Sequence, residues 1–401
     1  MVASTRAKAC VSILGAALLA SCSSDLVLGP DPTTPFTAVS VGVLHTCALT
    51  GDGQAYCWGW GEHGQLGNGQ TDDADVPVAV EGSLAFTAIT AGAGHTCGTV
   101  SSGETHCWGL NQSGQLGTGG TANSPVPIEV AGGVFFATIS AGGTTTCGLT
   151  ADGSAYCWGY NGQGQLGDGT IQDRSTPVEV VGGFEFASIS AGEFHTCGVT
   201  PTGAAYCWGQ NQDGQLGSTP NDPKQPSPVA GRLTFSSISA GLAHTCGVTI
   251  DGDAYCWGRN EFGQIGDGTE SNRSVPTLVT EGTDYTEVLA GGAYSCGLRT
   301  SGEAWCWGIN QGGQLGALAP DLCSQEDELG FISSSSCSHK PIQAAESLLF
   351  TTISGSTQHT CGLTTDDGVY CWGLGTRGQL GNGQRGSNYL SVDPVRVARQ
   401  P

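Results

Sequence analysis

Residues 136–170 read FATISAGGTTTCGLTADGSAYCWGYNGQGQLGDGT, and this stretch decides the fold. Its first five residues favour a β-strand through their propensity and brief alternation. Two more short strands flank Ala151-Asp152-Gly153, a three-residue loop whose glycine suits the left-handed position of a hairpin. The loop fixes the pairing of these strands as Leu149 with Ala155, Gly148 with Tyr156 and Cys147 with Cys157. The stretch therefore predicts an antiparallel sheet in which two cysteines lie opposite each other.

The same unit occurs seven times along the chain. Each copy holds a cysteine, nine further residues, a second cysteine and then Trp-Gly, and successive first cysteines are 50, 50, 50, 49, 50 and 65 residues apart. The long interval contains an insert with Cys323 and Cys337. Pro177-Val178-Glu179-Val180 closes the unit and favours a strand at a sheet edge, where proline is tolerated. Self-similarity at a fixed period predicts a repeat architecture.

The unit resembles the repeat of the regulator of chromosome condensation family, because Trp-Gly is followed by Gly-Gln-Leu-Gly in each copy, with Gln264-Ile265-Gly266 as one variant. The resemblance spans residues 36–398 and implies an all-β fold, a seven-bladed β-propeller of about 50-residue repeats with four-stranded antiparallel blades. The repeats are expected at about residues 36–85, 86–135, 136–185, 186–234, 235–284, 285–349 and 350–398. The seventh copy has Asp366-Asp367-Gly368 at its hairpin loop, which leaves its turn type open.

The N-terminal segment has the pattern of an export leader. Residues 1–21 carry Arg6 and Lys8 and then an apolar run that is too short to span a bilayer. Leu19-Ala20-Ser21-Cys22 resembles the lipobox of bacterial lipoproteins, in which the cysteine becomes the lipidated first residue. The alternative is a plain secretory leader cleaved near Ser21. Residues 22–35 are expected to be a tether. We therefore expect a protein of the bacterial cell envelope that is held to a membrane only by lipid on Cys22 and faces outside the cytoplasm.

The charge balance of the chain excludes one class of partner. The chain has 401 residues, with 35 Asp and Glu against 13 Lys and Arg, and its formal net charge is −22. A general nucleic-acid binder needs clusters of Lys and Arg to neutralise phosphates, so no nucleic-acid partner is expected. The motifs of P-loop nucleotide sites, α/β-hydrolases and H-E-x-x-H zinc proteases do not occur in the sequence. No catalytic residue and no cofactor are expected.

The cysteines are expected to form disulfide bonds. Of the 18 cysteines, Cys10 belongs to the leader and Cys22 to the lipid anchor, which leaves 16. Opposed residues of an antiparallel pair have the Cα separation that a disulfide needs. The expected bridges are Cys47–Cys57, Cys97–Cys107, Cys147–Cys157, Cys197–Cys207, Cys246–Cys256, Cys296–Cys306, Cys361–Cys371 and, inside the insert, Cys323–Cys337. The alternative is zinc, because His and Cys are two apart in His45-Thr46-Cys47 and similar triplets. That alternative needs four converging ligands, and we expect no metal.

Repeated side chains are expected to join the blades. A histidine recurs in one register of five copies, and Thr145 and Tyr294 replace it in the other two. A catalytic histidine is normally singular, so these residues are expected to form hydrogen bonds with the backbone between blades. The register also allows the Tyr156 ring to lie over Gly148. Tyr156 and Trp158 are then expected to fill the space between adjacent blades.

Two registers diverge between the copies, and in repeat proteins such positions report surface or function rather than folding. One is the residue after Trp-Gly, which is Trp60, Leu110, Tyr160, Gln210, Arg259, Ile309 or Leu374. The other is the pair after the Ala-Gly turn, such as Glu193-Phe194. If loops of one class share a face, they form rings around the central channel. The candidate binding residues are therefore Trp60, Leu110, Tyr160, Phe194, Arg259, Ile309 and Leu374. The alternative is that they only cover neighbouring turns. Residues 71–75 and the insert are expected to form a separate acidic surface.

Three functions from different classes remain. The favoured one is an exported, lipid-anchored, non-enzymatic scaffold, expected to be a monomer, that binds an unidentified protein through variable loops of one face. Its repeat also resembles that of a secreted propeller β-lactamase inhibitory protein, but this resemblance does not imply that the two proteins bind the same target. The second, guanine-nucleotide exchange on a small GTPase, is implied by the family's nuclear founding member, but the leader, paired cysteines and negative charge oppose it. The third, an enzyme acting on an extracellular polymer, needs paired carboxylates, and no sequence argument pairs Glu193 or Asp213.

Overall fold

The computed structural model describes residues 34–220, 222–326 and 332–398. The predicted leader, Cys22 and all of the tether before residue 34 lie outside these ranges. The described chain forms seven antiparallel sheets that are arranged as the blades of a β-propeller. Within it, no helix is long and apolar enough to cross a lipid bilayer. The predicted all-β, seven-bladed fold is confirmed.

The strands of each blade follow one another along the chain. Blades 1 and 2 contain β1 (Phe36–Val41), β2 (His45–Thr50), β3 (Ala55–Gly59), β4 (Ala74–Ala79), β5 (Phe86–Ala91), β6 (His95–Val100), β7 (Thr105–Gly109) and β8 (Ser124–Glu129). Blades 3 and 4 contain β9 (Thr138–Ala141), β10 (Thr145–Leu149), β11 (Ala155–Gly159), β12 (Arg174–Glu179), β13 (Ser188–Ala191), β14 (His195–Val199), β15 (Ala205–Gly209) and β16 (Ser227–Pro228). Blade 5 contains β17 (Phe235–Ala240), β18 (His244–Thr249), β19 (Ala254–Gly258) and β20 (Arg273–Leu278). Blades 6 and 7 contain β21 (Tyr285–Ala290), β22 (Tyr294–Arg299), β23 (Ala304–Ile309), β24 (Asp321–Glu326), β25 (Ile332–Ala344), β26 (Phe350–Gly355), β27 (His359–Thr364), β28 (Val369–Leu374) and β29 (Leu390–Arg396).

Six blades have the predicted four strands, and blade 6 has five. In blade 6 the strand order is β21-β22-β23-β25-β24, because the insert folds back as a hairpin and its second strand pairs with β23. The outermost strand of each other blade contains a proline. Proline has no N–H to offer to another chain, so it protects an exposed sheet edge from pairing with a neighbour.

The hairpin register is the predicted one. Cys147 pairs with Cys157 in β10 and β11, and Gly153 in their loop has φ 86°. All eight expected disulfide bonds are present, with Cα–Cα distances of 4.0–4.1 Å in the hairpins and 5.9 Å for Cys323–Cys337. In the seventh copy Asp367 has φ 63°, so an aspartate takes the left-handed position that glycine has elsewhere. Eight disulfide bonds are typical of a protein that resides in an oxidising environment.

The ring that covers the hairpin glycine differs from the predicted one. Gly148 is paired with Tyr156, but the side chain that lies over it is Phe136. A Cβ on Gly148 would lie 2.6 Å from Cδ1 of Phe136. Tyr156 packs edge-on against Phe136, with ring centroids 6.1 Å apart. The ring that covers the glycine thus comes from the first strand of the blade, and in blade 6 Tyr285 occupies the equivalent place over Gly297.

One backbone carbonyl fastens each blade to the next. The indole Nε1 of Trp158 in blade 3 donates to the carbonyl of Gln115 in blade 2 at 2.9 Å. The hydroxyl of Thr146 donates to the same carbonyl at 2.8 Å. Equivalent pairs of bonds occur at all seven junctions. The Trp-Gly and Gly-Gln-Leu-Gly motifs are therefore the two halves of one fastening between blades.

The recurring histidines extend this fastening. Nε2 of His95 bonds Oγ1 of Thr146 in the next blade at 2.8 Å. Since that hydroxyl already donates to Gln115, the imidazole is the donor. The other pairs are His45–Thr96, His195–Thr245, His244–Ser295 and His359–Thr46. The predicted role between blades is correct, but the partner is a side-chain hydroxyl rather than the backbone. Tyr294 makes the same type of bond to Thr360, whereas Thr145 bonds the carbonyl of Tyr160 in its own blade.

The first and last blades meet through the same contacts. Nε1 of Trp58 donates to the carbonyl of Gln379 at 3.0 Å, and Nη1 of Arg377 lies 3.2 Å from Oδ2 of Asp73. Because β1 and β29 belong to different sheets, the two blades close the ring without sharing a strand. Phe36 and Val397, near the two ends of the described chain, lie in one buried cluster.

Candidate functional site

The two registers that diverge between copies lie on the same face of the propeller. In every blade, the backbone N–H of the residue after Trp-Gly donates to the carbonyl of the last residue of the Ala-Gly turn at 2.8–2.9 Å. These pairs are Trp60–Leu44, Leu110–Gly94, Tyr160–Thr144, Gln210–Phe194, Arg259–Ala243, Ile309–Ala293 and Leu374–Gln358. We call the surface formed by these fourteen residues and the turn residues that precede them the channel face.

A cavity of about 260 Å³ opens at the centre of the channel face and is lined by the innermost strand of every blade. Around its mouth the backbone of six turns hydrogen-bonds to the turn of the next blade, as in Gly143 N–H to the carbonyl of Gly192 at 3.1 Å. A Cβ on Gly142 would lie 2.2 Å from that same carbonyl. Glycine therefore suits this position in six blades, and Ser356 occupies it in blade 7. The rim that carries the divergent residues is built from hydrogen-bonded backbone.

Six of the seven candidate binding residues gather in three clusters around this mouth, Arg259 lies outside them, and all seven are partly exposed. The first cluster lies on blades 1 and 2. The Trp60 ring centroid is 4.7 Å from that of His63, and Nε1 of Trp60 donates to Oε2 of Glu62 at 3.2 Å. Leu110 lies over Gly94, where a Cβ would be 3.3 Å from the leucine Cδ2 and 3.8 Å from Cδ2 of His63. Trp60, His63 and Leu110 thus form one mixed aromatic and aliphatic patch.

The second cluster lies on blades 3 and 4. Tyr160 and Phe194 come from the two different divergent registers, and their rings meet edge to face with centroids 6.3 Å apart. Glycine at position 162 leaves room for the tyrosine, because a Cβ there would be 2.1 Å from the Tyr160 hydroxyl. The pair is an exposed aromatic contact of the kind that is enriched at interaction surfaces.

The third cluster is a pocket of about 350 Å³ that spans blades 5 to 7. Ile309 and Leu374 line it, together with Leu242 from the Ala-Gly turn register. The walls between them are completed by Gly292 and Thr357. Gln311, Gln314 and Gln358 also line the pocket. The pocket can therefore receive an apolar side chain of a partner between its three aliphatic residues and offers amide groups beside it.

The side chain of Arg259, another predicted contact residue, is held by an ion pair within its own loop. Its guanidinium forms an ion pair with the carboxylate of Glu261, two residues further along the loop. Both side chains remain partly exposed at 39% and 40%, so the pair is accessible, although its charge is already balanced. Arg259 therefore offers a hydrogen-bonding edge more than a free positive charge.

Glu193 occupies the rim of the central cavity. Its carboxylate lies over Gly143 of the neighbouring blade, where a Cβ would be 2.4 Å from the Glu193 Cδ. Burial raises the pKa of this carboxyl above its ordinary value. Glu193 is the carboxylate that the channel face holds closest to the axis, since no other Asp or Glu among the described residues lines the central cavity.

The two acidic segments, residues 71–75 and the insert, belong to the same class of connection between strands. Residues 71–75 belong to the connection between β3 and β4, the class of loop that also carries Trp60. Oδ1 of Asp73 accepts the N–H of Gly61 at 3.1 Å, and its Oδ2 pairs with Arg377. The insert occupies the equivalent connection in blade 6. Asp73 therefore supports its own loop and the junction with blade 7. The separate acidic surface stays a prediction, and Asp327 and Glu328 of the insert lie outside the described residues.

The cysteine and histidine side chains are engaged with one another or with the protein. The hairpin cysteines are bonded in pairs, and each histidine of the predicted His-x-Cys triplets bonds a hydroxyl of the next blade. Within the described residues, one group of metal-ligating type gathers, namely Cys323, Cys337 and His339. Its cysteines are joined as a disulfide, and His339 bonds Asp321 and Glu270 at 2.9 and 2.8 Å.

Sequence reasoning missed two contributors to the channel face. His63 lies three residues beyond the divergent position and reaches Trp60 only through the curvature of its loop. Leu242 belongs to a register that was recognised as divergent, but its place in the pocket depends on Ile309 and Leu374 from two other blades. The divergence of the Ala-Gly turn register was the sequence signal that could have identified Leu242. Nothing in the sequence marks His63 as a contact residue.

Comparison with known families supports one assignment over most of the chain. Residues 83–400 match the model of the RCC1-like domain. Residues 36–65 and 52–98 each match the model of the regulator of chromosome condensation (RCC1) repeat. The matched segments together cover the propeller from its first strand to its last.

Similarity to individual curated proteins is confined to short segments. The RCC1 domain-containing protein 1 of Mus musculus is 42% identical over 57 residues, which are 14% of this chain and 14% of that protein. The E3 ubiquitin-protein ligase HERC2 of Homo sapiens is 50% identical over 44 residues, which are 11% of this chain and 1% of that protein. The aligned segments are about one repeat long, so they compare single blades only.

Solved structures resemble the whole propeller. A chain in the crystal structure of Kap60 bound to yeast RCC1 (Prp20) superposes with a TM-score of 0.74 and 19% identity, covering 91% of this chain and 84% of that one. Human WBSCR16 gives a TM-score of 0.73 and 20% identity, covering 86% and 94% of the two chains. The ectodomain of the Arabidopsis thaliana receptor kinase ACR4 gives 0.54 and 20%, covering 85% and 98%. At these identities the likeness concerns the fold alone.

Proposed function

This chain belongs to the RCC1-like domain family, and on that premise we propose that it is a non-enzymatic scaffold that binds another protein through its channel face. The family fold fits a protein-binding scaffold, and it also fits a nucleotide-exchange factor. The similar propeller protein Prp20p of Saccharomyces cerevisiae is described with binding properties to Gsp1p and histones, which supports a binding role for such a fold.

One observation carries the proposal. The chain keeps its junction residues nearly constant from blade to blade, and its two divergent registers lie on one face, where a backbone hydrogen bond joins them in every blade. A surface that only covered turns would not need Trp, Tyr and Arg at equivalent positions of one register and Phe194 in the register beside it. Large aromatic residues and arginine are the side chains that contribute most to protein interfaces.

We further propose that the propeller is exported and lipid-anchored through Cys22 in a bacterial cell envelope. The eight disulfide bonds support an oxidising location, and the lipobox-like sequence supports the anchor. A Cys22→Ser chain should then appear in the soluble fraction, whereas the natural chain should stay with the membrane fraction. Equal partition of the two chains would remove the anchor from the proposal.

Nucleotide exchange on a small GTPase is less well supported. The reduced compartment in which such a GTPase works does not favour eight disulfide bonds. Nucleotide exchange also needs a surface that recognises a GTPase, and no residue of this chain identifies such a surface. We therefore place the scaffold function first.

The binding function is tested by capture on the immobilised full chain. Changing Trp60, Tyr160 and Arg259 together to Ala should abolish capture of the partner from envelope extracts. The melting temperature should stay nearly unchanged, because partly exposed side chains outside the core contribute little to stability.

A matched control lies on the opposite face. Phe135 and Ile250 are 57% and 67% exposed and lie beside or within the hairpin loops at the other end of the strands. Changing both to Ala should leave capture intact. If capture survives the channel-face variant and is lost in the control, the binding surface belongs to the opposite face.

A further inference from the structure

The channel face has an uncompensated negative charge at its centre. The Glu193 carboxylate lies on the rim of the central cavity, and the structure shows no ion pair from it to any Lys, Arg or His that it describes. The raised pKa of its carboxyl has burial as its cause, which is the direction expected for a carboxylate without a cation beside it.

Basic side chains of the surrounding loops already form ion pairs with carboxylates. Arg259 pairs with Glu261, Arg377 with Asp73, and Arg385 with Asp75. Lys224 likewise pairs with Asp222 in the blade 4 loop. With 35 acidic against 13 basic residues in the chain, the field over this face is negative. Binding to this face is therefore favoured for a partner that places a positive charge near the propeller axis.

An apolar site adjoins the charge. The backbone N–H of Glu193 bonds the carbonyl of Gly241, so Leu242 follows directly around the rim at the next blade. Leu242, Gly292 and Thr357 line both the central cavity and the pocket of Ile309 and Leu374. The carboxylate and the apolar pocket therefore open onto one continuous depression.

We infer that this depression receives a polypeptide segment that places a lysine or arginine at Glu193 and a large apolar side chain in the pocket formed by Leu242, Ile309 and Leu374. The inference rests on the proposed function and states the chemistry of the partner. The apolar side chain supplies the buried anchor of the interface. The basic side chain supplies electrostatic complementarity, which selects the partner and fixes its register.

The test uses a phage-displayed library of random dodecapeptides selected on the immobilised full chain. Enriched peptides should contain Lys or Arg within a few residues of Leu, Ile, Met or Phe. The peptide selected most strongly is then synthesised, and its dissociation constant is measured on the natural chain and on Glu193→Gln. The isosteric amide keeps the fit over Gly143 and removes a charge that has no ion-pair partner in the folded chain, so the variant is expected to fold.

Glu193→Gln should weaken binding about tenfold, as expected for a close charge pair at an interface. Replacing the basic residue of the peptide by Gln should weaken binding to the natural chain equally, but should not weaken binding to Glu193→Gln any further. Leu374→Ser should weaken binding and leave the dependence on the basic residue intact. The Phe135→Ala, Ile250→Ala control should bind like the natural chain.

Selected peptides without enrichment of Lys or Arg would overturn the inference, and so would equal affinity for the natural chain and Glu193→Gln. If capture depends on Trp60, Tyr160 and Arg259 while Glu193→Gln changes nothing, the proposed function stands and this inference fails. If capture ignores those three residues, the proposed function fails whatever the peptides show.

Discussion

At the scale of single residues, the propeller depends on glycines that allow neighbouring groups to approach closely. Gly167 has φ 71°, and a Cβ on it would lie 2.7 Å from Nε1 of Trp208. That indole is fully buried and is held by its bond to the Gln165 carbonyl at 2.9 Å, so it cannot move aside without losing a partner. The glycines of Gly-Gln-Leu-Gly therefore serve the junction between blades rather than a ligand.

Three glycine variants separate steric contact from backbone strain. Gly167→Ala should lower the free energy of unfolding by about 3 kcal/mol, because it combines strain with overpacking. Gly183 has φ 64° but nothing within 4 Å of an added Cβ, so Gly183→Ala should cost about 1 kcal/mol. Gly120 has open space and no positive φ, and Gly120→Ala should change stability by less than about 0.5 kcal/mol. Denaturant unfolding measures all three, and an equal cost for Gly167→Ala and Gly183→Ala would contradict the role of the tryptophan.

The buried histidines should make the fold sensitive to mild acid. Burial lowers the pKa of His95 to about 4 and that of His45, His195, His244 and His359 to about 3, from an ordinary 6.5. As pH falls below 6.5, the unfolded chain binds protons that the folded chain refuses. The contribution of the buried histidines to stability is therefore fully present above pH 6.5. Acidification below this pH lowers the free energy of unfolding by up to about 1.4 kcal/mol per pH unit for each histidine.

The melting temperature should accordingly fall between pH 7 and pH 5. In His95→Gln the slope of unfolding free energy against pH should be smaller by the contribution of one histidine. Thermal unfolding followed by circular dichroism across this range measures both slopes. Parallel curves for the natural chain and the variant would show that His95 takes up a proton in the folded state.

At the scale of elements, the hairpin bridge ties the two central strands of each blade. In blade 4, Cys197 and Cys207 face each other in β14 and β15, and both are fully buried beside Trp257 of the next blade. The insert bridge Cys323–Cys337 joins β24 to β25 at the outer edge of blade 6. The two kinds of bridge therefore constrain different parts of the molecule.

Removing each kind of bridge should have different consequences. The double change Cys197→Ala, Cys207→Ala should lower the free energy of unfolding by about 2–4 kcal/mol, the usual value for a native bridge. The double change Cys323→Ala, Cys337→Ala should leave global unfolding nearly unchanged and increase hydrogen exchange within the insert. Both are measured by denaturant unfolding with hydrogen exchange. A similar global loss in the two variants would show that the insert is part of the cooperative core.

At the scale of the whole molecule, the ring closes between two complete blades. Blade 1 begins at Phe36 and blade 7 ends with β29, and no strand crosses from one to the other. The seam carries the same tryptophan and threonine bonds to a glutamine carbonyl as the other six junctions. The order in which the blades are synthesised therefore has little bearing on the finished ring.

A circular permutant tests this equivalence. A chain that starts at residue 186, joins residue 398 to residue 34 through a short Gly-Ser linker and ends at residue 185 should fold to the same propeller. Its melting temperature should lie within a few degrees of the natural one, because every blade stays contiguous and the joined ends lie near the shared cluster of Phe36 and Val397. Circular dichroism and thermal unfolding measure the outcome. A permutant that fails to fold would show that the natural seam has a role the other junctions lack.

The sequence alone determined the strands, the hairpin register and the bridges, because these depend on residues about ten apart and on a short loop that fixes which side chains face each other. Cys147 and Cys157 were paired correctly for this reason, and the divergence of Trp60, Tyr160 and Leu374 marked candidate surface positions. Only the tertiary structure decided which groups from different blades meet. Within blade 3 it also placed Phe136 rather than Tyr156 over Gly148. Between blades it brought Leu242 to Ile309 and Leu374, and it set Glu193 over Gly143 at the rim of the cavity. The contacts between blades join residues that are 50 or more positions apart, and their geometry follows from the angle between packed sheets, which no local pattern of the sequence records.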